Sequence, residues 1–176
     1  MKTAVIFNSQ TGFTRRYAEW ISQTAKTDLM ELSVAKKKDL TGYEAIIFGG
    51  SACAGSISKL NWFKDNMDRW ADKKLIVFCV GASPLENPEV QTALRKNFTE
   101  EQFKKVSVFY CPGGLNYAKM SVSSKLMMKL FLKTLQSKKN KTDADQEMIR
   151  MISTSYDISD RKYIEPILKS LEQPQS

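Results

Sequence analysis

The chain has 176 residues, 42% hydrophobic and 26% charged, and a formal net charge of +8, the balance of an ordinary soluble protein long enough for one domain with a substantial core. The three cysteines, Cys53, Cys79 and Cys111, lack CxxC spacing and no histidine is present, which argues against a metal site. No apolar run reaches the length of a transmembrane helix, and the positive charge favours anionic partners such as phosphates, acidic proteins or lipid headgroups.

The N-terminal "MKTAVIFNSQ" turns polar too soon for a secretory signal. With the odd cysteine count, that predicts a reducing cytosol. "TAVIF" reads as the first strand. The polar exit "NSQTGFT" follows, and then a helix with Phe13, Tyr17 and Ile21 at i, i+4 and i+8. "DLMELSV" alternates weakly, as an edge strand would. "EAIIFGG" is the third strand, and Leu60, Phe63, Met67 and Trp70 then mark a helical stripe. "KLIVFCVG" is the fourth strand, with Cys79 in the core. Asn87-Pro88-Glu89 predicts an N-cap and first turn for a helix through Val90, Ala93, Leu94 and Phe98. Thr99 and Gln102 have capping-box spacing before the fifth strand, "VSVFYCPGG". In the last helix, "RKYIEPILKSL", Pro166 predicts a kink or a later start.

Apart from the edge run, these strands are apolar at consecutive positions, so they are expected to be buried on both faces of a parallel sheet. Alternation with helices predicts an open sheet covered on both sides. Ligands of such sheets bind beyond the carboxyl ends of the strands.

The first such exit is "NSQTGFT". The hydroxyls of Ser9, Thr11 and Thr14 can donate, Gly12 permits close backbone approach, and the helix behind presents unpaired N–H groups and its positive dipole end. That chemistry suits a phosphate; a plain capping turn through Ser9 or Thr11 is the alternative. The exits after the third and fourth strands, with Gly49, Gly50, Ser51 and Ala52 on one side and Gly81, Ala82 and Ser83 on the other, are small enough for a flat ring to lie against backbone. Neither exit carries an aromatic. Trp62 and Tyr117 are the aromatics considered for reaching a ring from outside, although Trp62 fits its helix's core stripe. Cys53 is a candidate either to tune a ligand or to fill space.

The run "VIFNSQTGFTRRYAEWI" resembles the flavodoxin FMN-binding signature at Val5, Ile6, Phe7, Ser9, Gly12, Thr14, Ala18 and Ile21. The resemblance implies an α/β, flavodoxin-like, doubly wound five-stranded parallel sheet of order 2-1-3-4-5 in three layers. It also implies FMN as cofactor, with Ser9, Gln10, Thr11, Gly12, Phe13 and Thr14 around its phosphate. Gly50, Ser51, Ala52, Gly81, Ala82 and Ser83 would then flank the isoalloxazine. Family carriers usually stack an aromatic from these loops on the flavin, and here the loops have none.

After Gly113 the chain carries Lys119, Lys125, Lys129, Lys133, Lys138, Lys139 and Lys141 with no acid before Asp143. Lys125, Lys129 and Lys133 form one stripe beside a broad apolar arc of Leu126, Met127, Met128, Leu130, Phe131, Leu132 and Leu135. This segment predicts either a helix packed on the domain or a basic amphipathic surface at 119–141 for a membrane, a quinone or a partner protein; aromatic interleaving for nucleic acid is poor. "GGLNYAKMSVSSKLMMKLF" is similar to the insertion of the flavodoxin-like, quinone-dependent protoporphyrinogen dehydrogenases, which work at the inner membrane face. The expectation is therefore one domain over 1–172 with a basic helical insertion at about 115–155. It would be an FMN oxidoreductase linked to a quinone or porphyrinogen, with Tyr117 and Lys119 as substrate contacts. An electron carrier between proteins and a flavin-free binding module are the alternatives; +8 disfavours a carrier docking on basic reductases.

Overall fold

The computed structural model describes residues 1–173. Its elements are β1 (Thr3–Phe7), α1 (Phe13–Ala25), β2 (Asp28–Glu31), α2 (Leu32–Ala35), β3 (Ala45–Cys53), β4 (Ser56–Ile57), α3 (Leu60–Asn66), β5 (Lys74–Gly81), α4 (Pro88–Arg95), α5 (Glu100–Lys105), β6 (Ser107–Pro112), β7 (Gly114–Leu115), α6 (Val122–Ser137), α7 (Asp143–Ile152), β8 (Tyr156–Asp157) and α8 (Glu165–Glu172). Single 3₁₀ turns at Asp68–Trp70 and Arg161–Ile164 follow α3 and precede α8.

The sheet runs β2-β1-β3-β5-β6 with parallel neighbours throughout, and the short β4 pairs back on β3. Counting only the five long strands, this is the expected 2-1-3-4-5 order. The burial of this α/β sheet on both faces follows from the strands' composition. Ala4, Ile6, Ile46, Phe48, Leu75 and Val77 point to one face, where Leu60, Phe63, Trp70, Val90 and Leu94 cover them. Val5, Phe7, Ile47, Ile76 and Phe78 point to the other, under Tyr17, Ala18 and Ile21 of α1 and Ile167 and Leu171 of α8. Strand side chains alternate between faces, so consecutive apolar residues feed two cores at once.

The caps read from sequence form as expected. Asn87 accepts from the Glu89 N–H at 3.0 Å, and Thr99 and Gln102 make a reciprocal capping box. Leu60, Phe63, Met67 and Trp70 are all buried. Pro166 sits in the first turn of α8, which starts later than the apolar pattern; the preceding Arg161–Ile164 turn absorbs the difference.

Two readings change. The edge strand stops at Glu31, and Leu32–Ala35 turn into a short helix. The third strand does not end at its glycines but continues to Cys53 and reverses into β4 through Ala54 (φ 48°) and Gly55 (φ 81°). The glycines are there for packing: a Cβ on Gly49 would lie 2.1 Å from Cζ of Phe78, and one on Gly50 would lie 2.6 Å from the Ser58 carbonyl oxygen.

The segment between β6 and α8 forms a satellite around Leu115, Leu135 and Ile152. β7 and β8 pair antiparallel and clamp its two ends together. Gly114 holds φ 152°, and a Cβ there would sit 2.1 Å from the Tyr156 carbonyl oxygen. Arg16 of α1 pairs with Asp157 and donates to Ser159, fastening the satellite to the sheet domain. Burial acts against ionisation of Asp157, but hydrogen bonds from Ser159 and Arg16 win and hold its carboxyl below the usual range.

Candidate functional site

The strand order reverses at β1, with β2 on one side and β3 on the other. The exit of β1 therefore opens at the switch point, where doubly wound sheets bind ligands. Gly12 is the N-cap of α1 at φ 101°, a conformation that strains any residue with a Cβ. Its N–H donates to Ser9 Oγ at 3.2 Å, which leaves the Ser9 hydroxyl proton available. No side chain caps the helix, so the capping-turn alternative does not describe this exit.

The N–H groups of Gln10, Thr11, Phe13, Thr14 and Arg15 find no acceptor among the described residues. Thr14 is 2% exposed, and its hydroxyl has no hydrogen-bond partner among the described residues. The residue borders the cleft, and a cluster of free donors at a helix N-terminus fits a phosphate. Nearby cations are largely committed elsewhere: Arg15 pairs with Glu31 and Arg16 with Asp157. Neutral backbone and hydroxyl donors thus make the cradle. Lys119, exposed in an adjoining hollow with Gly12, Arg15 and Arg16, adds positive charge at its edge.

Gln10, Thr11, Phe13 and Thr14 border a cleft of about 350 Å³, within the range of small-molecule sites. Ser51, Ala52, Cys53 and Ala54 form one flank of it, and Gly81, Ala82 and Ser83 another. Of the sequence candidates in these three exits, Ser9, Gly12, Gly49 and Gly50 do not border the cleft itself. Ser9 and Gly12 shape the cradle, and Gly50 packs behind it against Ile57 and Ser58. The third flank comes from the satellite: Met127, Met128 and Phe131 of α6, Met151 of α7 and Tyr156 of β8 are among its residues.

Trp62 is elsewhere, in contact with Phe48 and Trp70. Tyr117 donates its hydroxyl to the Ile152 carbonyl inside the satellite and does not border the cleft. Cys79 is buried, and burial pushes its thiol up to about 12, as expected of a core cysteine. Cys53 is exposed at the cleft. The wide apolar arc of α6 was the one sequence signal for the third flank. Tyr156 had none.

The flavodoxin domain profile matches residues 4–145, most of the chain. The chain belongs to the flavodoxin domain family. Its β1–α1 cradle lies inside the matched part, as do both strand-end flanks. Among solved structures, the Trp repressor binding protein of Bacillus subtilis is 20% identical, covering 65% of this chain and 85% of its own, with a TM-score of 0.47. A flavoprotein from Lactobacillus acidophilus NCFM, in complex with FMN, is 17% identical over 63% of this chain and 91% of its own, with a TM-score of 0.45. A flavodoxin, WrbA-like protein from Agrobacterium tumefaciens is 18% identical over 86% of this chain and 94% of its own, with a TM-score of 0.42. No curated protein matches the chain.

Proposed function

We propose that this flavodoxin domain is a cytosolic redox protein that binds FMN. The observation that carries the reading is the unsatisfied donor cluster of the β1–α1 exit, with the unpartnered Thr14 hydroxyl, opening directly on the cleft. When bound, the flavin supplies the one- or two-electron chemistry. The chain's own residues hold its phosphate through N–H groups and hydroxyls, and leave room for a ring between 51–54 and 81–83. The methionine and phenylalanine flank excludes water from that side and favours a flat, apolar electron acceptor such as a quinone or a porphyrinogen. An electron carrier between proteins and a flavin-free binding module are the competing readings, and a carrier has no need of this apolar flank.

The test is an absorption spectrum of the fresh protein followed by FMN titration of the apo form. Flavin bands or quenching of added FMN fluorescence are expected; a colourless protein that neither quenches FMN nor gains thermal stability from it overturns the reading. Oxidation of the reduced holoprotein by quinones, porphyrin formation from porphyrinogens, and electron exchange with partner reductases then separate enzyme from carrier.

A second reading concerns where the protein works. No helix is long and apolar enough to cross a membrane among the described residues. Yet α6 leaves Val122 84%, Leu126 56%, Leu130 56% and Phe131 46% exposed, beside the Lys125, Lys129 and Lys133 stripe. Only Leu135 of this helix is buried, so the arc read from sequence is covered on one edge alone. An apolar ridge flanked by lysines suits an anionic lipid surface, and Phe131 belongs to both ridge and cleft. Cosedimentation with vesicles containing phosphatidylserine is expected at low salt, and its loss on raising the salt or in the Leu126→Glu/Leu130→Glu variant. Equal recovery with uncharged vesicles, or no binding at low salt, overturns this reading.

A further inference from the structure

The loop at 81–83 has three consecutive carbonyls, and each is engaged by a donor from a different place. The Gly81 carbonyl accepts from the Gly113 N–H at 2.7 Å, the Ala82 carbonyl from the Tyr156 hydroxyl at 2.6 Å and the Ser83 carbonyl from the Tyr110 hydroxyl at 2.9 Å. Gly113 and Tyr110 belong to β6 and its exit, but Tyr156 lies on β8, beyond both helices of the satellite. Burial pushes the Tyr156 hydroxyl up to about 12, so it remains a neutral donor near pH 7. The N–H groups of Ala82 and Ser83 have no acceptor among the described residues, and both residues border the cleft.

A loop with engaged carbonyls and free N–H groups offers donors, and the polar edge of a flavin ring is rich in acceptors. The geometry points to Tyr156 as a positioning residue for the flavin ring: the satellite's return strand holds the 81–83 loop with its N–H groups available to the ring. This assignment rests on the FMN reading above. The site sits where Gly114 lets β8 approach, since a Cβ there would meet the Tyr156 carbonyl. The satellite is in this view part of the cofactor site and more than a cover.

The experiment compares wild type with Tyr156→Phe, which keeps the ring and removes the donor, and with Tyr110→Phe as a second variant on the same loop. FMN and riboflavin affinities are read by fluorescence quenching, the midpoint potential of the bound flavin by dye-coupled titration, and folding by circular dichroism. Tyr156→Phe is expected to stay folded, to weaken FMN and riboflavin equally by about tenfold, and to shift the potential. Equal weakening marks a ring effect, because only FMN carries the phosphate. If wild type binds FMN while a folded Tyr156→Phe keeps both affinities within about twofold and the same potential, the positioning role is overturned and the FMN reading stands. Should Tyr156→Phe not fold, an unchanged potential in Tyr110→Phe overturns the proposal. A wild type that binds neither flavin removes the FMN reading itself.

Discussion

Replacing Thr14 by valine is expected to weaken FMN binding about ten- to a hundredfold while leaving riboflavin affinity nearly unchanged. Valine keeps the shape of threonine and removes only the hydroxyl. That hydroxyl belongs to a residue 2% exposed, and it has no partner among the described residues. A hydrogen bond to a charged group contributes about 1.5–3 kcal/mol, which sets the range. The fold should tolerate the change, because the threonine makes no internal hydrogen bond through its side chain. Isothermal titration of both ligands against the apo protein measures it. Equal affinities for FMN in wild type and variant would place the phosphate elsewhere, and a parallel loss of riboflavin binding would show general damage to the cleft.

The largest stability effect is expected from Phe48→Ala. Phe48 is 0% exposed in the middle of β3, with ring centroids 5.7 Å from Phe63 and 6.1 Å from Trp62. Its removal takes away the buried area and leaves a cavity that the strand cannot collapse into, because β3 is hydrogen-bonded to β1 on one side and β5 on the other. A loss of about 3–5 kcal/mol follows, a large share of the roughly 5–15 kcal/mol that holds a domain together. Urea unfolding of the apo protein, followed by tryptophan fluorescence, gives the value. A cost below about 1 kcal/mol would mean that the Phe48 site is not packed as described.

The central architecture was legible because its signals are local. Thr3–Phe7 and Lys74–Gly81 are apolar at successive positions, and a strand of that kind has to be buried on both faces. Asn87 before Pro88 and Thr99 before Gln102 carry their helix starts in a few residues, since a cap acts on N–H groups only two or three positions away. The donor-rich exit of β1 was legible for the same reason: strand, polar turn, glycine and helix are contiguous, and the donors are the turn's own backbone.

The glycines of β3 show where local reading stops. Gly49 and Gly50 looked like a strand end. They are strand interior, because Phe78 and Ile57 occupy the space their side chains would take. Nothing in the local pattern says which residue from another element will fill a missing Cβ.

By itself, then, the sequence determined the four apolar strands of the core sheet, the helix starts marked by caps, the two-faced core and the donor-rich exit of β1, all set by backbone chemistry and periodicity over a few residues. Tertiary structure alone decided the rest of the site. The bond from Tyr156 to Ala82 spans 74 positions, and Met127, Phe131 and Met151 reach the cleft only because β7 and β8 close the satellite onto the sheet's carboxyl edge. Contacts of that range depend on where separate elements come to lie after folding, and a short stretch of sequence carries the period of one element but no record of its neighbour.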